Sequence, residues 1–558
     1  MNMQRRSHFE SLPAREGFPF NYERAQPDRN ALFALNEVFG RAPVAAVRTK
    51  YHRARLTFSD LLQDLMEYDV DRPPRQHQPS YFAALESVRR DIGIPARSIV
   101  PLTTGAVAKH PSVPLSKSPG LPYKQRGYAT KGEALADPAT LRHIRQLWYD
   151  IEANKPVELP DVACYARAQI CPREKNKVRA TWGYPLDVYI AEAQWFYPYL
   201  DVLKNQENPI IAYGVEIATG GMSFINRMAT AYPGHPYLLG DWSKFDKTIP
   251  PWLIRDAFRI VEETIDFSQV EDVEGKRWNV RDFRSKRRWR RMVNYFINTP
   301  VRMSDGRRFL KKGGVPSGSC WTNVIDSIVN AIVMRYLVYE ATGSFPCADC
   351  YLGDDSVIVL PGLVNITDLA NMAKQEFGML LNPEKTSQTR DERGIHFLGY
   401  YNLSGHPTKA LDTIIASTVY PERTVLSKVD TIARLVGQAY SCFDTESATG
   451  FLRCAHILLK EENLSPEAIE DYIHANPSRF KYLQTIGIAP QSITIPVIDD
   501  LHPTWRTLPS APRRMWRPRY YDPGALYNAG VFWYGAFDTC QVSEEDFDSL
   551  SLDSGVVV

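Results

Sequence analysis

Hydrophobic and polar positions along the chain fall into two rhythms, and their changes mark the elements. A period near 3.6 runs through Ser59–Tyr68, where Leu61, Leu62, Leu65 and Met66 share one face and Ser59 or Asp60 serves as cap. Asp71-Arg72-Pro73-Pro74 breaks that run, and a second helix is predicted over Ser80–Arg90. Pro236–Pro251 reads as a strand ending at Asp241, a turn holding Asp246, and a helix opening at Pro250-Pro251 with Ile254, Ala257, Phe258, Val261 and Ile265 on its apolar stripe. A long apolar rod extends from about Ser319 to Glu340 and stops before Gly343, with Thr322, Asp326 and Asn330 recurring every four residues as its one polar stripe. Buried polar groups need partners, so that stripe demands an explanation. The strand rhythm is clearest around Tyr351-Leu352-Gly353-Asp354-Asp355-Ser356, where two apolar runs flank a Gly-Asp turn: a tight β-hairpin with carboxylates at its tip. Thr367–Phe377 is a further amphipathic helix ended by Gly378, and beyond about residue 410 the pattern is mostly helical.

At 558 residues the chain exceeds one ordinary domain, and its 44% hydrophobic and 23% charged content is that of a soluble globular protein. No apolar run is long enough to span a membrane, and residues 1–10 lack the apolar core of a signal peptide. Eight cysteines form no disulfide framework, and the single CxxC at Cys347 and Cys350 has no second pair to complete a zinc site. There is no P-loop or GxGxxG, which removes support for ATPase and dinucleotide readings. A net charge of +2 says little, but its distribution says more. Arg173, Lys175, Lys177 and Arg179 alternate, so a strand would line them on one face, a ladder that favours a polyanion such as a triphosphate or an RNA backbone. Seven basic residues lie in Arg281–Arg291, read as either a solvated helix face or a phosphate contact. Arg, Trp and Tyr interleave over Trp505–Tyr534, and the chain closes on an acidic, Ser-rich stretch expected to be a mobile tail.

The candidate chemistry centres on the hairpin. Adjacent carboxylates repel unless a cation neutralises them, and hard oxygen donors suit Mg²⁺ or Mn²⁺. Asp241, at a strand end, is well placed for a site, although Asp is also a common helix-cap residue. The Gly-rich stretch Lys311–Gly318 feeds a helix N-terminus, a setting for phosphate or template-backbone contact.

Taken together these stretches resemble the palm of a viral RNA-dependent RNA polymerase, in that family's order. Ser118-Pro119-Gly120 looks like motif G, Arg173–Arg179 like motif F, and Asp241-x4-Asp246 like motif A. Ser317-Gly318-x3-Thr322-x3-Asp326-Ser327-x2-Asn330 looks like motif B, Gly353-Asp354-Asp355 like motif C, Lys385 like motif D, and Phe397-Leu398-Gly399-Tyr400 like motif E. The wording of motifs A and B is closest to partitiviruses, with picobirnaviruses second. The resemblance implies an α+β right hand with an antiparallel palm sheet, closed by fingertip loops. It divides the chain into an N-terminal region bridging fingers and thumb (1–110), fingers (111–235), palm (236–265), a fingers insertion (266–312), palm (313–406), thumb (407–500) and a C-terminal extension (501–558).

It also implies Asp241, Asp354 and Asp355 as metal ligands for Mg²⁺ or Mn²⁺, and Lys385 as general acid. Arg173, Lys175, Lys177 and Arg179 would bind the triphosphate. Asp246, Thr322 and Asp326 would check the ribose, with Ser317 and Gly318 guiding RNA. Ser118, Gly120, Phe397, Leu398 and Gly399 would line the RNA path. Asp326 stands where many positive-strand relatives carry Asn. The partners implied are template and nascent RNA, rNTPs and a capsid protein, in a virion or host cytoplasm without a membrane. Two rivals are a reverse transcriptase, which shares the palm, and a non-catalytic RNA-binding protein with a decayed palm.

Overall fold

The structure, a computed structural model, describes residues 8–20, 22, 26–75, 78–497 and 514–519. Among these, the central sheet is four-stranded and antiparallel, in the order Ala348–Leu352, Asp355–Val359, Tyr237–Leu239, Ser387–Thr389. Its residues alternate between two cores, which is why its strands read as continuous apolar runs. Tyr351, Ile358 and Leu238 face the Thr322–Thr342 helix in one core, while Cys350, Val357, Val359 and Leu239 enter another with the helices beyond residue 411. The long helix is buried along most of its length and ends at Gly343, whose φ of +76° supplies the left-handed cap.

A second sheet has five strands, ordered Phe9–Leu12, Arg308–Lys312, Asn298–Arg302, Val162–Ala168, Val178–Gly183. The N-terminal region thus supplies an edge strand here, and its Arg29–Phe39 helix packs against Thr445–Glu462 in the second core. The ribbon Ile170–Pro172, paired with Tyr51–Arg53, reaches across to the segment at 420–422. There Arg53 donates to the Tyr420 carbonyl and Arg167 meets Glu422 at 2.6 Å, closing the hand.

Several expectations change. The cap of Phe58–Met66 is Thr57, not Ser59 or Asp60, because the Thr57 hydroxyl accepts the Asp60 N–H. Arg173, Lys175 and Lys177 do not lie on a strand face: the chain turns after Pro172 and Val178–Gly183 begins later, so only Arg179 is in a strand. The strand before Asp241 ends at Leu239, and Asp246 lies not in an open turn but in the short helix Phe245–Thr248. The basic run belongs to the helix Asp282–Ile297, and much of it is spent on protein contacts: Arg288 bonds Glu152 and Gln194, while Arg287 and Arg291 donate to the carbonyls of Glu152 and Val157. The acidic tail and most of the Arg/Trp/Tyr-rich stretch lie outside the described residues. No helix among the described residues is long and apolar enough to cross a membrane.

Candidate active site

The hairpin between Ala348–Leu352 and Asp355–Val359 turns on two residues, Gly353 and Asp354. Gly353 has φ of +61°, which a first turn position of the tight hairpin type requires and which Gly supplies at no steric cost. The helix polar stripe explains itself here. Ser327 Oγ accepts the Gly353 N–H at 2.7 Å, and Asn330 Nδ2 donates to the Gly353 carbonyl at 3.0 Å. Asn330 Oδ1 in turn accepts Trp242 Nε1–H at 3.0 Å, so one buried amide joins the acidic tip to the residue after Asp241.

Asp241 is bracketed by the turn 382–386: the Asn382 N–H donates to the Asp241 carbonyl at 2.8 Å, and the Asp241 N–H donates to Thr386 Oγ1 at 3.1 Å. Trp242-Ser243 pairs with Leu380-Leu381, completing the frame. Asn382 and Thr386 were not singled out from sequence; the signal was the Asn-Pro turn before Lys385. Asp241 interacts electrostatically with both Asp354 and Asp355. Desolvation in the cleft raises the Asp354 carboxyl above its ordinary range, an effect Arg179 opposes and Asp241 reinforces. Burial pushes Asp355 up to about 7, although its Oδ2 accepts the Leu398 N–H at 2.6 Å.

Three mutually repelling hard-oxygen groups fit a divalent cation. Among the described residues, no three His, Cys, Asp or Glu side chains enclose an ion unaided.

Asp246 and Asp326 form a second carboxyl pair. Burial above all, and the neighbouring Asp246, raise Asp326 well above the usual carboxylate range, burial raises Asp246 as well, and a side-chain hydrogen bond links the two carboxyls. The other oxygen, Asp326 Oδ1, is buried without a hydrogen-bond partner. Such an orphan beside the acidic tip awaits a donor.

Desolvation, Arg179 and Lys385 lower the Lys177 ammonium, so these three cations lie near one another, and Arg179 acts on the Asp354 and Asp246 carboxyls as well. Lys385 itself is exposed. Arg173 is drawn away: its Nε donates to the Arg48 carbonyl at 2.6 Å. Thr322 latches its own approach loop by donating to the Pro316 carbonyl. Ser317 is exposed, whereas a Cβ at Gly318 would collide with the Trp182 carbonyl, so that position demands glycine. Gly120, at φ of +69°, packs on the Tyr184 carbonyl, and Ser118 Oγ accepts the Gly120 N–H. Phe397 is buried, and Leu398-Gly399 form the turn behind Asp355.

Behind the loop, Glu192 accepts from Ser319 Oγ and the Cys320 N–H, both at 2.7 Å. Burial raises this carboxyl to about 7. A carboxyl whose folded value lies above its unfolded one stabilises the fold fully below the unfolded value, near 4.5, and loses that stability as pH rises through 7. Glu192→Gln is therefore expected to remove a decline in unfolding free energy between about pH 4.5 and 7 that the parent displays, read by denaturant titration across pH. An unchanged profile would assign the decline elsewhere.

Comparison with known proteins gives a consistent set of likenesses. Residues 25–412 match the family model described as viral RNA-dependent RNA polymerase. The chain is 28% identical over 354 residues to the RNA-directed RNA polymerase of Cryptosporidium parvum virus 1, covering 59% of this chain and 63% of that protein. It is 28% identical over 381 residues to the RNA-directed RNA polymerase of Atkinsonella hypoxylon virus, covering 59% and 53%. With that of White clover cryptic virus 1 it shares 24% over 287 residues, covering 48% and 46%. The matches thus span about half to three-fifths of these relatives' lengths. Among solved structures, the Sicinivirus 3Dpol RNA dependent RNA polymerase superposes with a TM-score of 0.62 at 15% identity, covering 86% of this chain and all of that one, a likeness of fold.

Proposed function

Because the chain belongs to the viral RNA-dependent RNA polymerase family, we propose that it copies RNA by nucleotidyl transfer from rNTPs at the cleft between Asp241 and the Gly353-Asp354-Asp355 tip. The observation that carries this reading is one junction: the buried Asn330 bridges the Gly353 carbonyl at the acidic tip to Trp242, the residue after Asp241, across strands that are already paired. Asp241 and Asp354 would hold divalent cations, with Asp355 behind them. Mg²⁺ or Mn²⁺, when bound, supplies Lewis-acid activation of a 3′-hydroxyl and neutralises phosphate charge.

The chain's own groups do the rest. Lys177 and Arg179 bind the triphosphate, where positioning and charge stabilisation carry most of the catalysis. Lys385 is the proton donor to the departing pyrophosphate. The Asp246–Asp326 pair reads the sugar: with one hydrogen bond linking the two carboxyls, acceptor capacity remains for a ribose 2′-hydroxyl, and the orphaned Oδ1 gains a partner. Lys175 and Ser317, both exposed, would be free to contact nucleotide and RNA, while Ser118, Gly120 and the 397–399 turn would support the RNA path from behind. The resemblance to partitivirus polymerases supports replication and transcription of a double-stranded RNA genome, with a capsid protein as partner, in the virion or host cytoplasm.

Asp246→Asn is expected to lower rNTP-over-dNTP preference roughly tenfold or more, since losing a hydrogen bond to a charged acceptor costs on that order. Single-nucleotide incorporation with both sugars measures it. Unchanged preference would take Asp246 out of sugar recognition.

A further inference from the structure

The motif A turn and the motif F strand are joined by one helix that no motif includes. Phe58–Met66 and the residues just after it present Asp60 and Asp64, four apart, and then the adjacent Glu67 and Tyr68, three and four beyond Asp64, hence along one side. Asp60 Oδ2 accepts from Asn176 Nδ2 at 2.7 Å, fixing the cationic turn. Asp64 Oδ2 accepts the Ala180 N–H at 2.7 Å, on the residue next to Arg179. Its other oxygen accepts from Lys247 Nζ at 2.6 Å, on the residue next to Asp246. Glu67 takes the same ammonium at 2.6 Å, and Tyr68 donates to the Val315 carbonyl at 2.8 Å. Val315 N–H in turn donates to the Asp246 carbonyl at 2.7 Å.

The Asp64 and Lys247 side chains are only 16% and 15% exposed, so solvent screens their pairing weakly. Asp64 thus spans the gap between the two groups assigned to opposite ends of one nucleotide. In the proposed reading Arg179 takes the triphosphate and Asp246 the sugar.

We propose that Asp64 is a positioning residue for nucleotide selection: it sets the distance from triphosphate cation to sugar-reading carboxylate, and the Phe58–Met66 helix is the strut that holds it. This rests on the polymerase reading of the same site. A rigid separation makes triphosphate binding and sugar checking one event, so a deoxyribose cannot be accommodated by shifting the nucleotide. Small misplacements of positioning groups cost large factors in rate.

The test compares the parent with Asp64→Asn, Lys247→Gln and the double variant, on a self-priming hairpin RNA, with rNTP and 2′-dNTP. Each single variant is expected to raise KM for rNTP about tenfold and to lower rNTP-over-dNTP preference by a similar factor, with kcat on rNTP less affected. The double variant should fall short of the product of the two, since both remove one contact. Hydrogen exchange supplies a readout that needs no activity: the Ala180 amide should exchange faster in Asp64→Ala than in the parent. A uniform fall in kcat with KM and sugar preference at parental values would overturn the proposal, leaving a merely structural helix. Unchanged exchange at Ala180 would overturn it as well. Absence of incorporation by the parent would instead contradict the polymerase reading, and exchange would still decide whether Asp64 holds the strand.

Discussion

Asp354→Asn is expected to leave the chain folded while lowering nucleotide incorporation on the order of 10³-fold or more, the scale on which a preorganised charge-stabilising group acts. The fold should survive because the tip is held from behind, not by this carboxylate. Ser327 and Asn330 grip Gly353 through its N–H and carbonyl, and the strand pairing continues to Ala348 and Val359. Asp354 reaches solvent at the tip, although the cleft around its carboxyl withholds enough water to raise it. Desolvation, Asp241 and Arg179 act on its charge, so a neutral amide of the same shape removes function without removing packing. Circular dichroism and thermal melting should match the parent, while labelled product disappears. Retained synthesis would take Asp354 out of the chemistry; a lowered melting temperature would make the tip part of the framework.

Arg335→Leu should have the largest effect on stability. Arg335 is 1% exposed and sits in the long helix, where it bonds both oxygens of Asp349 at 2.7 and 2.8 Å, Asp91 at 2.7 Å and Ser87 at 3.1 Å. Asp349 is two residues beyond Cys347 in the hairpin's first strand and also accepts from Tyr351 at 2.8 Å. The arginine therefore ties the acidic hairpin to the Pro79–Ile92 helix as well as to its own. Removing it takes the nearest cation from two carboxylates in a core, leaving Arg519 at 3.8 Å from Asp91 and the Tyr351 hydroxyl on Asp349, and breaking a buried pair from one side costs about 3–5 kcal/mol. Denaturant unfolding followed by fluorescence measures this. A loss near that of an exposed ion pair, roughly 1 kcal/mol or less, would mean that water reaches the cluster.

The parts of the site that could be read from sequence are those written in local chemistry. The Gly-Asp hairpin declares itself because one position needs a left-handed glycine and the flanking runs are apolar on both faces. Gly343 and Gly378 mark helix ends through the same backbone preference. The Thr322–Asp326–Asn330 stripe announced a need for partners, and Asn330 and Asp326 meet that need at the two acidic centres, while Thr322 is spent on its own loop.

What was not legible depends on contacts between distant segments. Asp64 looks like an ordinary solvated helix residue until Ala180 and Lys247 arrive from 116 and 183 positions away. Motif F alternates like a strand, yet the segment breaks at Arg173, whose guanidinium is claimed by the Arg48 carbonyl and the Tyr420 hydroxyl. Asn382 and Thr386 frame Asp241 only because the Leu380-Leu381 pairing brings them there. In the basic helix, charge density pointed outward, but Glu152 and main-chain carbonyls had already taken several of its arginines.

The central claim is that this cleft joins ribonucleotides on an RNA template, and label incorporation on a defined single-stranded RNA tests it most directly. The assay uses Mg²⁺ or Mn²⁺, with rNTPs set against dNTPs. Template-length product from rNTPs, absent with dNTPs and absent without the metal, is the result predicted. Preferential use of dNTPs, or no product from a folded chain that binds the RNA, would contradict it.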